Sequence, residues 1–190
     1  VLFLLRRRRR VRLRLADGEH ADREAVVAYC ETRPVLRRTY SELKADAGAL
    51  EAFLRDRGIQ QGDRVAGVVT NGYEALVGML AATSLGAVWT SCSPDFGFQG
   101  VMDRFGQVKP KVLFAVDGYY YNGHSHDSLA KVRQLAEEIE SLEHVVVVEL
   151  MAPKADISGI RKAVHYSQWQ GDFADTVEIE FAQLPFNHPL

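Results

Sequence analysis

His124-Ser125-His126-Asp127 sets two imidazoles and a carboxylate within four residues. In an extended loop the two histidines project to the same side and could share a metal ion. No third ligand follows at a recognisable spacing, so no metal site is assigned. The alternative is a polar surface loop that opens a helix, with Asp127 as its N-cap. Just upstream, Tyr119-Tyr120-Tyr121 could stack against a purine or form a half-buried packing surface. Asp95, Asp103 and Arg104 are another polar set, but Asp103 and Arg104 fall in a helical stretch and read as salt-bridging or capping groups. Cys92 would be a reactive thiol only with a depressed pKa. His188 reads as a turn residue ahead of a strand. Gly97, Gly100 and Gly106 lack the spacing of a phosphate-cradling loop. Ser91 and Ser93 lack the flanking glycines of a nucleophile elbow. No catalytic residue is assigned.

The elements that must position these groups alternate between strand and helix. Ala25–Tyr29 reads as a short strand. Ser41 then offers an N-cap with Lys44 at the third helical position, so a cap is expected without a reciprocal capping box. Leu43, Ala47, Leu50 and Leu54 form one apolar stripe with Phe53 beside it, and Gly58 closes that helix. Val65–Val69 is a continuous apolar run suited to a buried parallel strand. A helix over Glu74–Leu85 ends at Gly86, and Ala87–Trp89 leads into the loop Ser91–Gly97. A helix near Phe98–Gln107, a strand Val112–Val116, a helix near Ser128–Ser141 and a strand Val145–Val148 follow. This order predicts an α/β fold of repeated βαβ units in a parallel sheet, with ligands at the strands' carboxyl ends. From Leu150 the pattern fades, with Trp169 as the large aromatic anchor of 151–171. Beyond Val148 an exposed sheet edge is expected. Glu178-Ile179-Glu180-Phe181 alternates like a short edge strand.

The 190 residues, 47% hydrophobic, suffice for a real core. A formal charge of −2 conceals an asymmetry. Residues 1–15 carry seven arginines and no acid, and the remainder holds 16 basic against 25 acidic residues, a net −9. An acidic body does not suit nucleic-acid binding. The arm, Arg6–Arg10 at its centre, is expected to be a solvated terminal tail, with anion or membrane-surface attraction as the alternative. No apolar run approaches the roughly 20 residues of a membrane span. Val1–Leu5 precede the arginines and do not form a signal peptide. The first residue is Val1 rather than methionine, so the sequence reads as incomplete. Cys30 and Cys92 are too few for a disulfide framework, and a reducing cytoplasm is the expected compartment.

Several blocks together resemble the adenylate-forming superfamily of acyl-CoA synthetases, adenylation domains and luciferases. They are Thr39-Tyr40-Ser41-Glu42-Leu43, Gly58 followed by Gly62-Asp63-Arg64-Val65, and Leu80–Ala82 through Leu85–Val88. Within it, Ser91–Gly97, Asp103–Gln107, Lys109–Lys111, Tyr121–Gly123 and Leu184–Leu190 are most similar to the acetoacetyl-CoA synthetases. The resemblance spans about residues 24 to 190; residues 1–15 do not share it. It implies that 16–190 is part of an AMP-binding-type N-terminal domain ending just before the phosphate loop. It also implies a ligase of lipid and ketone-body metabolism. Acetoacetate and ATP, with Mg2+, would give acetoacetyl-adenylate and pyrophosphate, and CoA would then displace AMP. ATP, CoA and Mg2+ are implied for the whole enzyme. The stretch in hand, lacking the phosphate loop and the catalytic lysine, is expected to be inactive and to bind none of them tightly. In related acetyl-CoA synthetases, basic residues in the loop equivalent to Asp117–His124 help hold the CoA nucleotide. His124 is thereby the one candidate cofactor contact, a partly charged group where acetoacetyl-type sequences often carry lysine. The alternatives are another short-chain acyl-CoA synthetase, acting on acetate, propionate or butyrate, and a non-catalytic module that binds CoA or a partner.

Overall fold

The computed structural model describes residues 20–31, 33–173 and 179–189. The basic arm at 1–15 lies outside the described residues, as do Glu178 and Leu190.

An antiparallel ribbon of β1 (Glu24–Ala28) and β2 (Leu36–Thr39) opens the chain. Helix α1 (Tyr40–Asp56) follows without a loop. Its cap is Thr39, not Ser41. The Thr39 hydroxyl accepts from the Glu42 N–H at 3.2 Å, and Glu42 Oε2 accepts from the Thr39 N–H at 2.7 Å. The expectation of a cap without a box is therefore corrected. The extended backbone at the end of β2 (φ −77°, ψ 171° at Thr39) starts the helix two residues earlier than Ser41, which brings Glu42 to the third position. Leu43, Ala47, Leu50, Phe53 and Leu54 are buried as the stripe requires. At about 1.5–3 kcal/mol for each large side chain, this face is what holds α1 to the sheet.

Gly58 (φ +75°) closes α1. Its N–H reaches Arg55 O at 2.9 Å, and the Ile59 N–H reaches Leu54 O at 3.0 Å. Gly86 (φ +77°) closes α2 (Tyr73–Ser84) the same way, with Ala87 N–H on Ala82 O at 3.0 Å. This paired bonding across a left-handed residue satisfies the last carbonyls of each helix and turns the chain into a strand.

The strands are β3 (Arg64–Val68), β4 (Val88–Cys92), β5 (Val112–Val116), β8 (His144–Val148) and β9 (Ala163–His165). They pair in parallel in the order β4-β3-β5-β8-β9. Alternate residues serve opposite faces, as a period of two demands. Val65, Val112, Phe114 and Val146 join α1, α2 and α5 (Tyr166–Asp172) in one core. Ala66, Leu113, Ala115, Val145 and Val147 join α3 (Phe98–Val108) and α4 (Leu129–Glu138) in the other. The α/β parallel-sheet fold is as expected, in three layers.

The region past Leu150 differs from expectation. It adds β9 beside β8, so the edge beyond Val148 is covered and the open edge moves to β9. Trp169 is 1% exposed and meets Tyr166 edge-on at 5.1 Å. No edge strand forms over 179–181. Alternation gives a segment two faces but no partner. Here the Ala182 N–H instead reaches Ser84 O at 2.8 Å, and Glu180 pairs with Arg55 at 2.9 Å.

Candidate functional site

In the order found here the chain reverses direction between β4 and β5, around β3. A parallel sheet gathers ligand-binding loops at the carboxyl ends beside such a reversal. Those ends carry Thr70–Gly72 after β3, Ser93–Gly97 after β4, Asp117 after β5 and Glu149–Pro153 after β8.

Asp117 organises two of these loops. It is 4% exposed. Its carboxylate accepts from the N–H groups of Leu150 (2.8 Å), Met151 (3.0 Å) and Ala152 (3.0 Å), a nest of donors that a carboxylate satisfies and a neutral side chain would not. Immediately after it, Gly118–Tyr121 (β6) and His124–Asp127 (β7) fold back as an antiparallel hairpin. Asn122 (φ 51°) and Gly123 (φ 76°) form the two-residue turn that an Asn-Gly pair favours. The hairpin was not expected, although Asn-Gly is its standard signal.

The hairpin fixes the residues picked from the sequence. His126 stacks on Tyr119 at 4.8 Å with rings 15° apart, so one face of Tyr119 is already taken. Tyr121 is 70% exposed. His124 sits opposite Tyr121 at the exposed tip, and the Gly123 N–H donates to Glu31 Oε2 at 3.3 Å. Among the described residues no group of three His, Cys, Asp or Glu could hold a metal ion. Asp127 is not the N-cap of α4. That position falls to Ser128, whose hydroxyl has no partner, while Asp127 Oδ1 accepts from the Leu129 N–H at 2.7 Å from one residue further back.

A cleft of about 230 Å³ opens beside the hairpin, lined by Arg33, Tyr120, Glu149, Leu150, Met151, Ala152 and Pro153. Arg33 pairs with Glu74 at 3.3 Å and donates to Leu150 O at 3.1 Å and to Glu149 O. The Glu149 carboxylate accepts from the Ser167 N–H at 3.2 Å and from its hydroxyl, with His165 Nδ1 3.2 Å away. That distance lies within ion-pair reach, but the ring nitrogen is not aligned for a hydrogen bond. The polar groups of this cleft are thus mostly spent on one another. The arrangement can hold a ligand's edge, but it offers no nucleophile paired with a base. Arg33 and Glu149 had no local motif to mark them; the bond that joins them spans 116 residues of sequence.

Other candidates fall into structural roles. Burial pushes the Cys92 thiol up, with Arg104 and Lys131 opposing and Asp95 adding to it, so Cys92 is no activated nucleophile. Asp103 accepts from Gln99 Nε2 at 2.7 Å, and Arg104 donates to Gly100 O at 2.6 Å. His188 turns the chain, and its Nε2 donates to Gly86 O at 2.9 Å, at the opposite end of the sheet. Among the described residues no helix is long and apolar enough to cross a membrane.

Comparison with known proteins agrees with this architecture. The AMP-binding enzyme family matches residues 13–181. The chain is 40% identical over 174 residues to acetoacetyl-CoA synthetase of Mus musculus, covering 89% of this chain and 26% of that protein. It is 40% identical over 171 residues to acetoacetyl-coenzyme A synthetase of Rhizobium meliloti (strain 1021), covering 88% of this chain and 25% of that one. The solved acetoacetyl-CoA synthetase from Streptomyces lividans superposes with a TM-score of 0.85 at 38% identity, over 95% of this chain and 27% of its own. The chain thus spans about a quarter of the length of these relatives. With more than half its length matched, and a parallel sheet superposing on a member's, the chain belongs to the AMP-binding enzyme family.

Proposed function

We propose that this chain forms the amino-terminal sheet of an ATP-dependent, AMP-forming acid–thiol ligase that activates acetoacetate and passes it to CoA. The observation carrying this reading is agreement in both sequence and fold, along almost the whole chain, with proteins named acetoacetyl-CoA synthetase. We place this ligase in the cytoplasm, the compartment that a chain with two cysteines suggests.

The donors present do not fit ATP with Mg2+. The sequence has no glycine-rich phosphate loop, and the described residues offer no metal-ligand cluster. No step of adenylate formation is therefore assigned to this chain, and alone it should be inactive. CoA fits better, at the hairpin. His124 lies exposed at its tip, and Tyr120 lines the neighbouring cleft, so the hairpin would hold the nucleotide end of CoA while the thiol reacts elsewhere. Glu31, bonded to Gly123, sets a carboxylate against phosphate at the same tip and keeps that contact weak.

ATP–pyrophosphate exchange tests the reading. The chain alone should give no exchange with acetoacetate, acetate, propionate or butyrate; exchange by the chain alone would overturn its assignment as a non-catalytic part. Substituted for the matching quarter of the Streptomyces enzyme, it should support exchange that prefers acetoacetate. A chimera preferring another acid would overturn the acetoacetate assignment.

A further inference from the structure

The loop after β4 is braced from two helices. From α4, Lys131 Nζ donates to Phe96 O at 2.9 Å and also to Pro94 O. From α3, the Arg104 guanidinium lies 4.3 Å from the Phe96 ring centroid. Between these contacts, Pro94 is buried and the Phe96 N–H closes a turn on Ser93 O at 3.3 Å. The loop begins one residue past Cys92, the last residue of β4, whose carbonyl is held by the Val69 N–H at 3.2 Å. Cys92, Phe96 and Phe98 all pack on the core beneath α3 and α4. An ammonium committed to two carbonyls of one short loop, from a different element, works as a clamp. Neither carbonyl has another partner within the turn, so losing the ammonium leaves both seeking water.

We propose that Lys131 is a positioning residue: by gripping Pro94 O and Phe96 O it latches the Ser93–Gly97 loop at the carboxyl end of β4 and shelters the Cys92 thiol behind it. The proposal goes beyond the preceding reading, since it concerns a separate loop at the carboxyl ends of the same sheet. It is tested without nucleotide, so the two can fail separately.

The charged and titratable groups facing the latch are Cys92 on β4, Asp95 in the loop, Arg104 on α3 and Lys131 itself. Burial holds the Lys131 ammonium below its ordinary range and the Cys92 thiol above its own. The latch therefore loosens as pH rises through the lowered Lys131 value.

The experiment measures how fast the small aromatic disulfide DTNB modifies Cys92 in the 190-residue chain carrying Cys30→Ala. Charge alone and the latch predict opposite signs for Lys131→Met. Removing a nearby cation raises a thiol's pKa and slows its reaction, whereas opening the loop speeds it. The latch predicts a rate higher by about tenfold, with Lys131→Arg, which keeps the donors, within about twofold of the parent. A slower or unchanged rate in Lys131→Met would overturn the proposal. Should that variant fail to fold, Lys131→Gln decides: its neutral, shorter side chain should also speed modification, and a rate at or below the parent's counts against the latch.

Discussion

Met151 Sδ lies where a side chain on Gly118 would have to go: a Cβ there would overlap the sulfur and fall 2.5 Å from the His126 carbonyl oxygen. The thioether could swing aside, but the carbonyl is β7 backbone, held by the pairing of His126 with Tyr119. Gly118→Ala should therefore prise the hairpin from the loop after β8, costing about 3 kcal/mol in urea denaturation. A loss below about 0.5 kcal/mol would mean that the hairpin moves freely against that loop.

Asp117 makes the complementary prediction, since it joins the same two segments by polar contacts. Asp117→Asn replaces one acceptor oxygen with a donor facing the N–H groups of Leu150–Ala152. A loss of about 2–3 kcal/mol is expected, with faster amide exchange at Leu150, Met151 and Ala152. Unchanged exchange at those three amides would refute the nest.

Glu42 and Glu51, on one helix, should give pH dependences of opposite sign. The Thr39 backbone N–H holds the Glu42 carboxyl below its ordinary value of 4.5. Its contribution is present above that value and lost as pH falls through the depressed one. Glu51 is 2% exposed, and burial pushes it up despite the Arg55 partner. Its contribution is present below 4.5 and lost as pH rises through the elevated value. In melting temperatures measured from about pH 3 to 8, Glu42→Gln should flatten the acid limb, and Glu51→Gln should flatten the decline on the other side. Identical profiles for the two variants would contradict this assignment.

The parts of the fold legible in sequence were those set by local repetition. Val112–Val116 was legible because a run of five apolar residues suits a strand buried on both faces. Gly58 and Gly86 mark helix ends because only the left-handed turn there needs them. The boundary at Thr39 was misplaced because two hydroxyl residues lie two apart, and the strand preceding them decides which one caps. β9 was missed because three half-buried residues carry no period of their own and pair only once β8 is present. The candidate site was least legible. His124 could be named only through resemblance, and its hairpin was hidden because Tyr and His, not alternating apolar and polar residues, flank Asn122-Gly123. Arg33 and Lys131 act through backbone carbonyls distant in sequence, and Glu149 through the N–H and hydroxyl of Ser167, which no motif records.

The role proposed for His124 rests on charge at the hairpin tip, so charge is the variable to change. In the chimera with the Streptomyces enzyme, His124→Lys places a permanent cation there, and His124→Ala removes the ring. If the tip meets the nucleotide phosphates of CoA, the lysine variant should lower the KM for CoA by about two- to fivefold and the alanine variant raise it similarly, with kcat little changed. Glu31→Gln should act in the same direction as the lysine, since it removes a carboxylate bonded to the turn. Added salt should shrink the difference between lysine and alanine, because an exposed ion pair is screened. Dephospho-CoA, which lacks the 3′-phosphate, separates contact with that group from contact with the pyrophosphate. Equal KM values for the lysine and alanine variants at low salt would remove His124 from the CoA site, leaving the Asn122-Gly123 turn a purely structural feature.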